Sequence, residues 1–220
     1  MNDLVVAATV RQGTFQLQVE LRVGDGEIVG VVGDIGSGKS TALALVAGQL
    51  RAVGGTVTGP ESVWDDPARG IWVPPVEREL SYLAARPALI DDVAVIEQVM
   101  AAATRGDDST RTNGAARALR ERCLALLDEV GLAASVAERD GWTLSGGETQ
   151  RALLVRAFVA GSPVVVLDDP FRALDTRSGL AVRRWLAERL HAEGQRVLLT
   201  CADPADTLHL ADRTIPPGRP

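Results

Sequence analysis

The chain has 220 residues, a formal net charge of −6, a pI near 5.0 and 46% hydrophobic residues, enough for one large α/β domain with a helical insert but not for two full domains. The acidic balance argues against a nucleic-acid surface, which carries a basic patch. The longest apolar stretches, such as 42–47 and 99–103, and the run 164–167 fall well short of the roughly 20 residues a bilayer span needs, and the N-terminus has no signal pattern, so a soluble cytosolic chain is expected.

Apolar residues alternate over 4–10 and again at Phe15, Leu17, Val19, Leu21 and Val23, which predicts two strands with a turn at Gly13. The β-branched run Glu27-Ile28-Val29-Gly30-Val31-Val32 predicts a third, and Thr41-Ala42-Leu43-Ala44-Leu45-Val46-Ala47 reads as a helix. A further strand pair is expected at about 55–63 and 71–73, with Asp65-Asp66-Pro67 as its turn. Residues 93–103 are helical in pattern, and the polar stretch 104–114 reads as an exposed, mobile loop. Leu119, Cys123, Leu126, Leu127 and Val130 form one helical stripe of core residues ending at Gly131. Beyond it, Val164-Val165-Val166-Leu167 predicts a buried parallel strand, 176–192 a helix and 196–200 the last strand. Cys123 and Cys201 match no metal spacing and read as reduced structural thiols.

Between the third strand and its helix lies Gly33-Asp34-Ile35-Gly36-Ser37-Gly38-Lys39-Ser40, followed by Thr41, and Lys39 is the only lysine in the chain. Strand, glycine-rich loop and helix together are the context of a phosphate-binding loop. Glycines at 33, 36 and 38 let backbone N–H groups approach a phosphate at the helix N-terminus. Lys39 would add an ammonium for the β- and γ-phosphates, and the Ser40 hydroxyl a ligand for Mg²⁺. The buried run at 164–167 ends in Asp168-Asp169, where ligands bind in parallel α/β sheets. Asp168 is a candidate to hold Mg²⁺, and Asp169 to orient or deprotonate an attacking water.

Leu144-Ser145-Gly146-Gly147-Glu148-Thr149-Gln150-Arg151 opens another helix, running to about Ala160, with Ser145 and Glu148 spaced as a capping box. With this run the chain resembles the ATP-binding-cassette (ABC) family over nearly its whole length. The resemblance implies a P-loop NTPase of ABC type: an α/β fold with a mixed sheet core, an antiparallel β lobe and a helical subdomain. It implies one domain over 1–220, with about 1–90 and 161–220 as the core and about 91–160 as the helical subdomain. It also implies that Ser145, Gly146, Gly147 and Glu148 meet the ATP held by a second ATP-binding subunit in a head-to-tail dimer, with Ala173-Leu174-Asp175 completing the interface. Trp72-Val73-Pro74-Pro75-Val76-Glu77-Arg78, Pro87-Ala88-Leu89 and Val95-Ile96-Glu97-Gln98-Val99 look like ATP subunits of bacterial importers for molybdate, sulfate and similar solutes. Transmembrane permease partners, ATP, Mg²⁺ and a place on the inner face of the cell membrane follow as expectations.

Four positions depart from the family's pattern. Ala85 stands at the Q-loop glutamine, Ala202 at the switch histidine, Asp169 at the catalytic glutamate and Gln12 at the aromatic that stacks on adenine. His191 and His209 fall elsewhere and read as surface residues. A carboxylate displaced by about 1 Å costs on the order of 100-fold in rate, and general-base catalysis is worth about 10²–10⁴-fold. Slow hydrolysis is therefore expected at this chain's own phosphate loop, which suits the degenerate half of an asymmetric pair. A soluble ATP-dependent regulatory module and an ordinary homodimeric import ATPase remain the alternatives.

Overall fold

The computed structural model describes residues 3–104, 113–192 and 194–219, which form two compact units. The first comprises residues 1–85, 162–169 and 190–220; the second comprises 86–161 and 170–189.

The first unit contains two five-stranded sheets. In one, strands β1 (Leu4–Gln12), β2 (Phe15–Val23), β4 (Ala52–Thr58), β5 (Val63–Asp66) and β6 (Ile71–Trp72) run antiparallel in the order β2-β1-β4-β5-β6. Period-two alternation decides its faces: Leu17, Val19, Leu21 and Val23 of β2 are buried, and the residues between them are exposed. In the other, β3 (Ile28–Val31), β7 (Leu80–Leu83), β8 (Val164–Asp168), β9 (Arg196–Thr200) and β10 (Arg213–Ile215) run parallel in the order β10-β3-β9-β8-β7. Strands β3, β8 and β9 are buried at every residue, as a sheet covered on both faces requires. Helix α1 (Lys39–Val46) contributes Ala42, Leu43, Leu45 and Val46 to a core shared by both sheets.

The structure corrects three expectations. The strand expected at about 55–63 ends at Thr58, and the Gly59 N–H donates to Ser62 O at 2.9 Å in a turn before β5 begins at Val63. Asp65 and Asp66 do not turn the chain; they belong to β5, paired with Val57, Trp72 and Ile71. Their carboxylates find backbone donors, Ala52 N–H for Asp65 at 2.8 Å and Arg69 N–H for Asp66 at 3.2 Å, so their polarity does not force them out of the strand. The turn falls instead at the 3₁₀ segment Pro67–Arg69. Nor is 196–200 the last strand: β10 follows, paired with β3. At three residues, only partly buried, it carries no periodic signal.

The second unit is helical. Helices α2 (Val95–Thr104), α3 (Asn113–Glu129), α4 (Ala134–Ala137) and α5 (Gly146–Val159) pack together, with Cys123, Leu126, Leu127 and Val130 buried as the stripe predicts. Of the polar stretch 104–114, Thr104 closes α2 and Asn113 and Gly114 open α3, whereas 105–112 lie outside the described residues. Helix α6 (Thr176–Ala192) places Trp185 edge-on against Phe158 of α5, ring centroids 5.6 Å apart. Cys123 and Cys201 are both buried, and neither is in a disulfide. Among the described residues, no helix is long and apolar enough to cross a membrane.

Candidate functional site

The C-terminal edge of the parallel sheet in the first unit gathers three segments. The loop after β3 turns into α1 through Gly38, whose φ of 97° is left-handed. A side chain there would also collide with Leu17 at 2.9 Å, so glycine is required twice over. A Cβ on Gly33 would meet Ser37 Oγ at 2.8 Å, and that hydroxyl is buried without a partner. The N–H groups of α1's first turn have no intrahelical acceptors, and Ala42 makes the first helical bond, to Gly38 O at 2.9 Å. Lys39 Nζ folds back over the loop and donates to Gly33 O at 2.7 Å and Asp34 O at 2.9 Å. Ile35 is fully exposed, and Gly36, Ser40 and Asp34 are also at the surface. A buried hydroxyl awaiting a partner, glycines that leave room for an anion and an ammonium poised above them fit a polyphosphate. The Ser40 hydroxyl and Asp168 carboxylate are oxygen donors of the kind Mg²⁺ takes.

The second segment is Asp168-Asp169 at the end of β8. Tyr82 of β7 lies close enough to Asp168 to feel its charge; burial first, then that carboxylate, push the phenol up to about 12. Asp169 adopts a φ of 56°, donates its N–H to Thr200 O at 2.8 Å and accepts the Ala202 N–H on Oδ1 at 3.0 Å. The third segment, Cys201-Ala202, follows β9. Together with the loop it borders a cavity of about 220 Å³ that includes Gly33, Lys39, Ala202 and Thr207. Ala85 lies two residues beyond β7 at this same edge and brings no polar side chain. His191 and His209 are exposed on α6 and on α7 (Pro204–Leu210).

A groove of about 320 Å³ runs beside Gly36, Gly38, Lys39, Ser40 and Thr41 and is closed by Gln12 and Phe15. Thr41 Oγ1 donates to Gln12 Oε1 at 3.4 Å. Phe15 faces Gln12 across the hairpin, and its ring reaches to 3.2 Å from where a Cβ on Gly38 would stand. Sequence reasoning read Phe15 as a strand residue only. The available signal was the scarcity of aromatics, three phenylalanines in the chain, with one beside the phosphate loop.

In the second unit, Ser145 is the N-cap of α5. Its backbone N–H and hydroxyl both donate to Glu148 Oε2 at 2.8 Å, and its Oγ accepts the Glu148 N–H at 3.3 Å, completing the capping box. These bonds from Ser145, with Arg139 and Arg151 nearby, hold the Glu148 carboxyl below its usual range. Ala173, at a φ of 62°, packs on the start of this helix: a Cβ on Gly147 would come to 3.3 Å from its carbonyl oxygen. Gln150 Nε2 donates to Pro170 O at 2.9 Å and anchors the same segment.

Residues 17–172 match the family described as ABC transporter. The chain therefore belongs to the ABC transporter family. It is 35% identical over 202 residues to the molybdenum import ATP-binding protein ModC of Mycobacterium tuberculosis, covering 91% of this chain and 53% of that protein. It is 34% identical over 199 residues to the aliphatic sulfonates import ATP-binding protein SsuB 3 of Nocardia farcinica, covering 90% of this chain and 68% of that protein. The chain thus spans about half the length of ModC. Its fold matches a dimeric structure of the ATP-binding cassette MJ0796 in a post-hydrolysis state bound to ADP and Pi, with a TM-score of 0.80 at 23% identity over 97% of this chain and 93% of that one.

Proposed function

We propose that this chain is the ATP-binding subunit of an ABC transporter, acting as one ATP-binding domain over 1–220 with a core at about 1–90 and 161–220 and a helical subdomain at about 91–160. The observation that carries the reading is the phosphate loop at the edge of the parallel sheet, with Lys39 above it and Asp168 at the end of β8, two strands along from β3 in the same sheet. Gly33, Asp34, Ile35, Gly36, Ser37, Gly38, Lys39, Ser40 and Thr41 bind the phosphates of ATP. Lys39 exchanges two carbonyl partners for phosphate oxygens, and Ser40 and Asp168 hold Mg²⁺. When bound, the metal neutralises charge on the β- and γ-phosphates. Phe15 offers its ring to the adenine in place of Gln12.

Ser145, Gly146, Gly147 and Glu148 complete the nucleotide site of a second ATP-binding subunit, and transmembrane permease subunits dock on the assembly at the inner face of the membrane. Hydrolysis at this chain's own loop is slow, because Asp169 spends one carboxylate oxygen on the Ala202 backbone and Ala202 brings no imidazole. The partner is a different chain that supplies glutamate and histidine, so that the unaltered Ser145-Gly146-Gly147 serves an efficient site. The names of the relatives support import as the direction.

Two measurements test the reading. Lys39→Ala in a folded chain should abolish Mg-ATP binding by calorimetry, and unchanged affinity would sink the site assignment. In the native complex, Ser145→Arg should collapse steady-state ATPase while Asp169→Asn changes it little; a complex with two copies of this chain and no second ATP-binding subunit refutes the asymmetric pairing.

A further inference from the structure

Strands β8 and β9 end side by side, with Asp168 paired to Thr200 in parallel register. Side chains alternate along a strand, and Val164, Val166 and Leu198 all belong to the core that receives α1. Asp168 and Thr200, each two residues beyond one of these, lie on that same face, the one carrying the helix that begins at Lys39 and Ser40. Thr200 is 3% exposed, and its Oγ1 is buried with no hydrogen-bond partner.

Nothing in the packing of β9 asks for a hydroxyl there. Its neighbours Val197, Leu198 and Leu199 are apolar, and valine has the same shape as threonine. A buried hydroxyl without a partner leaves its desolvation uncompensated, and a polar group that arrives with nucleotide would supply that partner. The edge also lacks a polar side chain at Ala85.

We propose that Thr200 is a positioning residue for the Mg²⁺ that accompanies nucleotide, its hydroxyl receiving a hydrogen bond from a metal-coordinated water beside the Asp168 carboxylate. This rests on the reading of the phosphate loop as an Mg-ATP site. Mg²⁺ keeps several of its waters when protein-bound, so an oxygen outside its direct ligands has a partner to meet. Such outer partners are worth about 10–100-fold in metal affinity. Because the hydroxyl is unpartnered without nucleotide, its removal does not weaken the fold.

The test is calorimetric binding of a non-hydrolysable ATP analogue to the purified chain, in saturating Mg²⁺ and in EDTA, for the wild type, Thr200→Val and Thr200→Ser. Thr200→Val should cut the gain in affinity that Mg²⁺ confers by about tenfold, leave affinity in EDTA unchanged and melt no lower than the wild type. Thr200→Ser, which keeps the hydroxyl, should restore the Mg²⁺ gain. A Thr200→Val chain with the full Mg²⁺ gain, or one weakened equally in both conditions, overturns the proposal alone. A wild type that shows no Mg²⁺ gain overturns the Mg-ATP reading beneath it.

Discussion

The Asp169 carboxylate accepts the backbone N–H of Ala202 at 3.0 Å. It thereby ties the end of β8 to the turn after β9, at the two positions where the family resemblance implies a glutamate and a histidine. The bond is one a short carboxylate makes from a left-handed backbone, a conformation asparagine and aspartate tolerate better than most residues. Asparagine at 169 keeps both the acceptor oxygen and that tolerance, so Asp169→Asn should leave the fold and nucleotide affinity intact.

Installing a glutamate and a histidine at these two positions should act on turnover. Asp169→Glu combined with Ala202→His is expected to raise the rate more than either change alone, since both groups serve one transition state. Single-turnover ATPase measurements on the four variants of the cycle check this. Equal rates in the double mutant and the parent would place the block elsewhere, with Ala85 next in line.

Phe15→Ala should weaken ATP by about tenfold, the scale of one base stacked on an aromatic ring. Inorganic tripolyphosphate, which has no base, should bind both proteins alike. Equal loss for both ligands would mean that Phe15 only buttresses Gly38.

Arg78 is 1% exposed and donates to Leu45 O at 3.0 Å, Val46 O at 2.7 Å and Val73 O at 2.9 Å, with its guanidinium stacked over Trp64. Burial pulls its pKa down to about 10, against the opposing influence of Asp65. Because it satisfies the last carbonyls of α1, Arg78→Met should cost about 3 kcal/mol in denaturant unfolding. Lysine, a single point donor, should recover only part of that.

The capping box gives a pH signature. Glu148 has a carboxyl held below its ordinary 4.5, so its contribution is present above that value and fades as pH falls through the lower, folded one. Ser145→Ala should destabilise the isolated chain by about 1 kcal/mol at neutral pH. That difference should narrow below pH 4.5, as unfolding curves at two pH values would show.

The first two strands, the glycine turn into α1 and the capping box were legible because each is a local pattern: alternation in β2, glycine spacing before Lys39, serine three residues before glutamate. Asp65 and Arg78 were not, because what fixes them is distant in sequence. Asp65 looks like a turn residue until the Ala52 N–H is found donating to its carboxylate, and nothing near Arg78 in the sequence points to the carbonyls of α1 that accept from its guanidinium. Phe15 and Gln12 show the same limit from the other side. Gln12 stands where the resemblance implies an aromatic, but only the hairpin register brings Phe15 opposite it. Strand β10 escaped because three residues held by pairing and by the Arg213–Glu27 ion pair need no pattern of their own.

Lys39 holds the chain's one side-chain amine, folded onto Gly33 O and Asp34 O. That solitude makes it a built-in reporter. Isotope-labelled lysine would place a single side-chain signal in the whole polypeptide, at the atom where phosphate should arrive. Its movement on adding nucleotide could be followed without mutation, dye or engineered cysteine.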